Sequence, residues 1–115
     1  FITLGEKTII SKNVMFLVHD YSIGSAMKAM NCEGIIDGHL PHFIKEIKIG
    51  NHTFIGAKAI LLPGTQIGDN CIIGAGTVVK GTIPNNSVVV GNPAKIVQTT
   101  DDFVKQHIEK SDYIK

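Results

Sequence analysis

Large aliphatic side chains return at every sixth position through the middle of this sequence. Counted from Ile49, they occupy Ile55, Leu61, Ile67, Ile73 and Val79. A small residue stands four positions after each of the first five, at Thr53, Ala59, Thr65, Cys71 and Thr77. Glycine directly follows four of the aliphatic residues, at Gly50, Gly56, Gly68 and Gly74. A period of six is neither helical nor typical of meandering strands, so the pattern predicts short strands joined by tight corners.

Three such units make a coil of eighteen residues, which places residues eighteen apart on neighbouring coils. These pairs keep their size class: Ile49 with Ile67, Ile55 with Ile73, Leu61 with Val79, and Thr53 with Cys71. The same offset of four relates Leu4 to Thr8, Ile10 to Val14, and Phe43 to Ile47. We therefore predict an all-β parallel solenoid, in which like side chains stack at the spacing of adjacent strands, about 4.8 Å.

Between His19 and His42 the six-residue repeat stops. We interpret residues 20–42 as an inserted loop. Loops of this length inside a compact fold are uncommon unless they bind or cover something, so this loop is a candidate functional segment.

The repeat also ends near the C-terminus. Ile83 and Val89 restart the period in a new phase, and the residues after Pro93 predict a helix. Thr99 or Thr100 can serve as its N-cap, and Asp101 and Asp102 suit its first turn. Its apolar face comprises Phe103, Val104, His107 and Ile108. We expect a β-helix domain over residues 1–98 and a helix over residues 99–115 that covers the open strand edge of the last coil.

Composition narrows the class of protein. A chain of 115 residues with 43% hydrophobic and 18% charged residues fits one globular domain. The formal charge is +1 and all eleven basic residues are lysines, so a nucleic-acid role is not favoured. No apolar stretch reaches the length of about 18–20 residues that a membrane span needs, which suggests a soluble protein. With only two cysteines in a chain of this size, we expect reduced thiols and a cytoplasmic location. The start at Phe1, inside an alternating pattern, suggests that an upstream segment exists.

The segment IGNHTFIGAKAILLPGTQIGDNCIIGAGTVVKGTIPNNSVVVGNPAKI resembles the signature of the hexapeptide-repeat acyltransferases. KNVMFLVHD resembles the coil that carries the catalytic histidine in their maltose, galactoside and polysaccharide O-acetyltransferase branch. The resemblance implies a left-handed parallel β-helix, homotrimers with active sites between subunits, and acetyl transfer from acetyl-CoA without a metal. The left hand comes from the resemblance alone, because parallel crossovers are right-handed in about 98% of cases.

Under this resemblance His19 is the general base that takes the proton of the acceptor hydroxyl. The alternative, a surface histidine at a corner, is disfavoured by the motif match. Asp20 is expected to contact the acceptor or a neighbouring subunit, since consecutive strand residues face opposite sides. Glu33, Asp37 or a backbone carbonyl are the candidates for orienting His19.

The resemblance also implies the sites that contact acetyl-CoA. Ala57 and Ala75 match cofactor-contact positions, where small side chains let a thin ligand approach the backbone. The less favoured alternative is that both are only tight-corner residues. Lys80 and Lys95 would meet the phosphates of the nucleotide end. Relatives often carry Thr-Lys in place of Lys80-Gly81 and Arg in place of Lys95, and some carry Arg where this chain has Gln98. Lysine point charges therefore replace a bidentate guanidinium contact here.

The remaining histidines and Cys71 are interpreted as structural. His39, His42 and His52 lie in the loop or at an outward position, and no two histidines are spaced as in the zinc site of γ-type carbonic anhydrases. The favoured function is O-acetylation of a sugar, free, nucleotide-linked or in a surface-polysaccharide precursor. The alternatives are N-acylation of an amino sugar or other amine, and a non-catalytic trimeric scaffold.

Overall fold

The computed structural model describes residues 1–32 and 39–115, which form fourteen short strands and two helices. In chain order these are β1 Ile2–Leu4, β2 Ile9–Ile10, β3 Met15–Phe16, β4 His19–Asp20, α1 Ser22–Ala29, β5 Phe43–Ile44, β6 Ile47–Ile49, β7 Phe54–Ile55, β8 Ile60–Leu61, β9 Gln66–Ile67, β10 Ile72–Ile73, β11 Val78–Val79, β12 Thr82–Ile83, β13 Ser87–Val90, β14 Lys95–Thr99 and α2 Thr100–Lys110.

The strands wind into a parallel β-helix with three faces. Face A has the strand order β1-β6-β9-β12, face B has β2-β7-β10-β13 with β14 at its end, and face C has β3-β8-β11. Ile49 pairs with Ile67, Ile55 with Ile73, and Leu61 with Val79, all in parallel register. The predicted eighteen-residue coil is therefore confirmed.

The core consists of the two residue classes that the repeat singled out. The six aliphatic residues are each at most 4% exposed, and the five small residues at most 1%. Aliphatic side chains stack on one another along each face, while the small residues fill the corners. Cys71 lies on Thr53, whose Oγ1 accepts a hydrogen bond from the Cys71 backbone N–H at 3.2 Å. Burial raises the pKa of the Cys71 thiol, so it acts as a compact core side chain.

A ladder of side-chain amides and carboxylates joins the coils at one corner, and the repeat had not revealed it. Asn51 Oδ1 accepts from the Glu6 N–H at 2.8 Å, Asp69 Oδ1 from the Asn51 N–H at 2.7 Å, and Asn85 Oδ1 from the Asp69 N–H at 2.7 Å. At each step a side-chain oxygen accepts a hydrogen bond from a backbone N–H group that lies at the corner, outside the strand pairing.

The last coil is shorter than the others. Ile83 pairs with Ile67 and the neighbouring face pairs Val89 with Ile73, both sixteen residues apart, which is the phase slip that the sequence indicated. The chain then turns back, and β14 pairs antiparallel with β13. Helix α2 follows with Thr99 as its N-cap, whose side chain accepts from the Asp102 N–H at 3.1 Å.

The expectation that this helix covers the end of the coil stays a prediction: α2 contacts β13 and β14, and the Thr100 backbone N–H donates to the Asn86 carbonyl at 3.1 Å. None of its residues is buried, and Val104 and Ile108 on its apolar face are 46% and 59% exposed. On face B it is β14 that covers the outer edge of the last coil, through backbone hydrogen bonds. A strand satisfies the donors and acceptors of an edge directly, whereas a helix only shields them.

The insertion is more ordered at its ends than a plain loop. Strand β4 pairs antiparallel with β5, and α1 starts two residues after β4. Gly24 of α1 is buried and lies so close to Pro41 that a side chain would not fit. No helix in the described part of the chain is long and apolar enough to cross a membrane.

Thr77 gives a stability prediction from the core. Its Oγ1 is buried and has no hydrogen-bond partner within residues 1–32 and 39–115. We expect Thr77→Val to raise the free energy of unfolding by about 1 kcal/mol, because it removes an unsatisfied hydroxyl and keeps the shape of the side chain. The measurement is urea denaturation at fixed protein concentration.

Thr65→Val is the matched control. Thr65 is also fully buried, but its Oγ1 lies 2.7 Å from the Leu62 carbonyl and 3.1 Å from the Val79 carbonyl. We expect this substitution to lower the free energy of unfolding by about 1 kcal/mol. Equal losses of stability in the two variants would contradict the account of the core.

Candidate active site

His19 lies on a two-stranded hairpin at the edge of the β-helix. Its strand β4 leaves the first coil just after β3, and the partner strand β5 leads into the second coil at β6. His19 pairs with Ile44, and the Lys45 N–H donates to the Val18 carbonyl at 3.0 Å, which closes the base of the hairpin. The side chain of His19 is exposed. The fold thus presents an accessible imidazole on an anchored piece of backbone.

His42 lies next to His19, although the sequence interpretation treated it as structural. Its ring centroid is 5.7 Å from that of His19 and 4.6 Å from that of Tyr21, with interplanar angles of 30° and 26°. His42 Nδ1 is 3.4 Å from the Leu40 carbonyl oxygen. The contact exists because both ends of the insertion return to one hairpin. The sequence signal was the placement of HDY and HLPH at the two ends of the interrupted repeat.

Asp20 forms a hydrogen bond with the backbone at the start of α1. Its Oδ1 accepts a hydrogen bond from the Ser22 backbone N–H at 2.7 Å. This bond and the Ser22 side chain lower the pKa of the Asp20 carboxyl below its usual value. Within the described residues no hydrogen bond to the His19 ring occurs. Glu33 and Asp37, two of the candidates for that contact, lie outside the described residues.

A cavity of about 210 Å³ opens beside the hairpin. It is lined by Asp20, Ser22, Phe43, Lys45, Leu62, Pro63 and Lys80. Lys45 Nζ lies 5.5 Å from the centroid of the Phe43 ring. Lys80 follows β11 on face C, so the cavity joins the inserted segment to the regular coils.

Ala57, Ala75 and Lys95 lie elsewhere on the chain. Ala57 precedes β8 and Ala75 precedes β11, whereas Lys80 follows β11. The two alanines and Lys80 therefore lie at opposite ends of the face C strands. The Gly76 N–H donates to the Ala57 carbonyl at 2.8 Å, which confirms that these corners stack on adjacent coils. Lys95 is exposed on β14. One chain therefore brings His19 and Lys80 to one edge and the two alanines to the other.

His39 and His52, the other histidines interpreted as structural, form no ring contact with His19 within the described residues. His52 occupies a left-handed corner with φ of 52°, and His39 is exposed. Among the residues that the structure describes, no three histidine, cysteine, aspartate or glutamate side chains converge as a metal site would require.

Comparison with known proteins identifies the repeat. Residues 46–81 match the family described as bacterial transferase hexapeptide (six repeats). The chain is 32% identical over 109 residues to galactoside O-acetyltransferase of Escherichia coli (strain K12), an alignment that covers 95% of this chain and 49% of the relative.

Solved structures agree with this match. A galactoside acetyltransferase in complex with coenzyme A superposes with a TM-score of 0.73 at 32% identity, covering 90% of this chain and 48% of that one. A maltose O-acetyltransferase from Clostridium difficile 630 gives 0.66 at 27% identity, covering 85% and 58%. The predicted left-handed parallel β-helix is confirmed. The chain spans about half the length of the relatives it matches.

Proposed function

The chain is a hexapeptide-repeat protein of the bacterial transferase type, and on this premise we propose that it carries the transfer site of an acetyl-CoA-dependent O-acetyltransferase acting on a sugar hydroxyl. The observation that carries the proposal is the position of His19, an exposed imidazole on a closed hairpin at the edge of the β-helix. The two similar proteins named for galactoside and maltose acetylation support a sugar as the acceptor.

In the proposed reaction His19 acts as the general base. Its ring nitrogen accepts the hydroxyl proton while the acceptor oxygen attacks the thioester carbonyl carbon. A C–O bond forms and the C–S bond breaks. The imidazolium then returns the proton to the departing sulfur, so that CoA leaves as a thiol and the enzyme is unchanged. No covalent acyl-enzyme is needed.

The stacked corners at Ala57 and Ala75 suit a long, thin thioester ligand. Their methyl side chains leave the corner backbone approachable, and Ala75 is exposed. Lys80 and Lys95 are exposed ammonium groups for the phosphates of the nucleotide end. These four residues and His19 are the proposed site.

Within a single chain these residues lie apart from one another, which supports an assembly of several copies. His19 lies at one end of the face C strands, and Ala57 and Ala75 lie at the other end. We propose that two neighbouring copies in a homotrimer each contribute one edge to a shared site. Light scattering should then give three times the chain mass of 12.4 kDa.

Blocking the corner at Ala75 tests the proposed CoA groove. We expect Ala75→Phe to raise the KM for acetyl-CoA about tenfold, equivalent to about 1.4 kcal/mol, with a smaller effect on kcat. The assay is release of CoA thiol at saturating acceptor. Lys105→Phe, at an exposed position of α2, is the control and should leave KM unchanged.

The acceptor panel should include neutral sugars, sugar nucleotides and amino sugars. Faster turnover of amino sugars would indicate N-acylation instead of O-acylation. Absence of both thiol release and CoA binding would overturn the proposed function and favour a scaffold. An Ala75→Phe variant that keeps the KM of the wild type would instead place CoA elsewhere.

A further inference from the structure

We propose that His42 is a positioning residue, which holds the imidazole of His19 in the orientation needed for proton transfer. The inference rests on the proposed acetyl transfer, since it assigns His42 a role through His19. It concerns a residue that the sequence pattern had placed among the structural histidines.

The first support is that His19 has few other restraints. Its side chain is exposed, and within residues 1–32 and 39–115 its ring forms no hydrogen bond. An exposed side chain on a two-residue strand changes rotamer on the picosecond to nanosecond timescale. A general base must instead meet the acceptor proton at hydrogen-bond distance, so a neighbouring group that restricts the ring increases the productive fraction.

The second support is that His42 is itself held from two sides. Its ring stacks on Tyr21 at 4.6 Å, and its Nδ1 is 3.4 Å from the Leu40 carbonyl oxygen. The β4–β5 pairing fixes the backbone just after it, at Phe43 and Ile44. His42 therefore stands between Tyr21 and His19 as the middle ring of three, and transmits the rigidity of the hairpin to His19.

The third support is that the contact is planar. The rings of His19 and His42 lie 30° from parallel with centroids 5.7 Å apart, within the range of offset aromatic pairs. A planar contact restricts rotation about the His19 side-chain torsions, yet it leaves the ring edges, which carry the nitrogen atoms, free to meet the acceptor. Any flat ring at position 42 would supply this restraint.

Kinetics of position 42 variants provide the test. We expect His42→Ala to lower kcat about tenfold while the KM values for acetyl-CoA and acceptor stay within about twofold. His42→Phe should recover most of the loss, because it keeps a stacking ring and removes the imidazole. His39→Ala is the control, since His39 belongs to the same HLPH segment and is exposed.

A double substitution shows whether His42 acts through His19. In the His19→Ala background, His42→Ala should have no further effect on the residual rate. A further tenfold loss there would overturn the proposal, as would a His42→Phe variant no better than His42→Ala. A raised acceptor KM in place of a lowered kcat would also contradict it, because His42 would then be an acceptor contact.

The NMR signal of the His19 imidazole tests the contact between the two rings independently of acetyl transfer. If the wild type shows no acetyl transfer, the ring-current shift of the His19 ring protons still reports the stack. Loss of that shift in His42→Ala and its retention in His42→Phe would support the positioning contact without any activity. No change in either variant would overturn it.

Discussion

Replacing His19 by alanine is expected to lower kcat by about 10²- to 10⁴-fold, the usual contribution of a general base. The acceptor hydroxyl would have to attack while still protonated. The KM for acetyl-CoA should change little, because Ala57, Ala75, Lys80 and Lys95 are the proposed CoA contacts, whereas His19 acts on the acceptor hydroxyl. Initial rates of thiol release at saturating substrates measure both quantities.

His39→Ala and a binding measurement are the controls for this result. His39 is an exposed histidine of the insertion outside the ring stack, so its removal should leave kcat within about twofold. Circular dichroism should show that the His19 variant is folded, since the side chain is exposed and adds nothing to the core. A folded His19→Ala protein with normal kcat would exclude His19 as the base.

Gly56→Ala is expected to lower the free energy of unfolding by about 3 kcal/mol. Gly56 is buried where two coils touch. A Cβ atom there would lie 2.5 Å from the Ala75 nitrogen and 2.7 Å from the Gly74 carbonyl carbon and the Ile73 oxygen. All three are backbone atoms of the next coil, so relief requires that the coils separate. Thermal or urea denaturation measures the change.

Gly74→Ala is a matched control from the same repeat position one coil later. A Cβ atom there would meet the Val90 Cγ1 at 2.9 Å, and its next neighbours lie at 3.5 Å or more. Val90 is 41% exposed and can change rotamer, so we expect a loss of about 1 kcal/mol. If the two alanine variants were equally stable, close coil contact would not be the reason for these glycines.

The six-residue repeat made the coils predictable, because side chains of the same size class stack on one another along each face. Counting in sixes from Ile49 identified the inward residues as far as Val79, and the structure buries these residues, whereas Leu4 and Phe43, outside this run, are 49% and 40% exposed. The Asn51–Asp69–Asn85 ladder was not foreseen, because its rungs are eighteen and sixteen residues apart and straddle the phase slip.

The insertion was less predictable, because it occurs once and has no second copy to compare. Its hairpin joins His19 to Ile44, and its helix α1 packs Gly24 against Pro41; both contacts are between residues distant along the chain. The surface that α2 covers was hard to predict for a related reason. An apolar helix face indicates that a partner surface exists, but does not identify that surface.

Within the candidate site, the role of His19 came from the resemblance and its exposure from the structure. His42 could not be found by spacing, since it lies 23 positions after His19 and only the hairpin brings the two rings together. The separation of Lys80 from Ala57 and Ala75 along face C was likewise invisible in a linear reading. This separation supports the proposed homotrimer, in which two copies would complete one site.

The most direct test of the account is to incubate the protein with isotopically labelled acetyl-CoA and the panel of sugar acceptors, and to measure the products by mass spectrometry. The account predicts one labelled acetyl ester on a sugar hydroxyl for each CoA thiol released, formed about 10²- to 10⁴-fold more slowly by the His19→Ala protein. Equal labelling by wild type and variant, or no labelling of any acceptor together with no CoA binding, would contradict it.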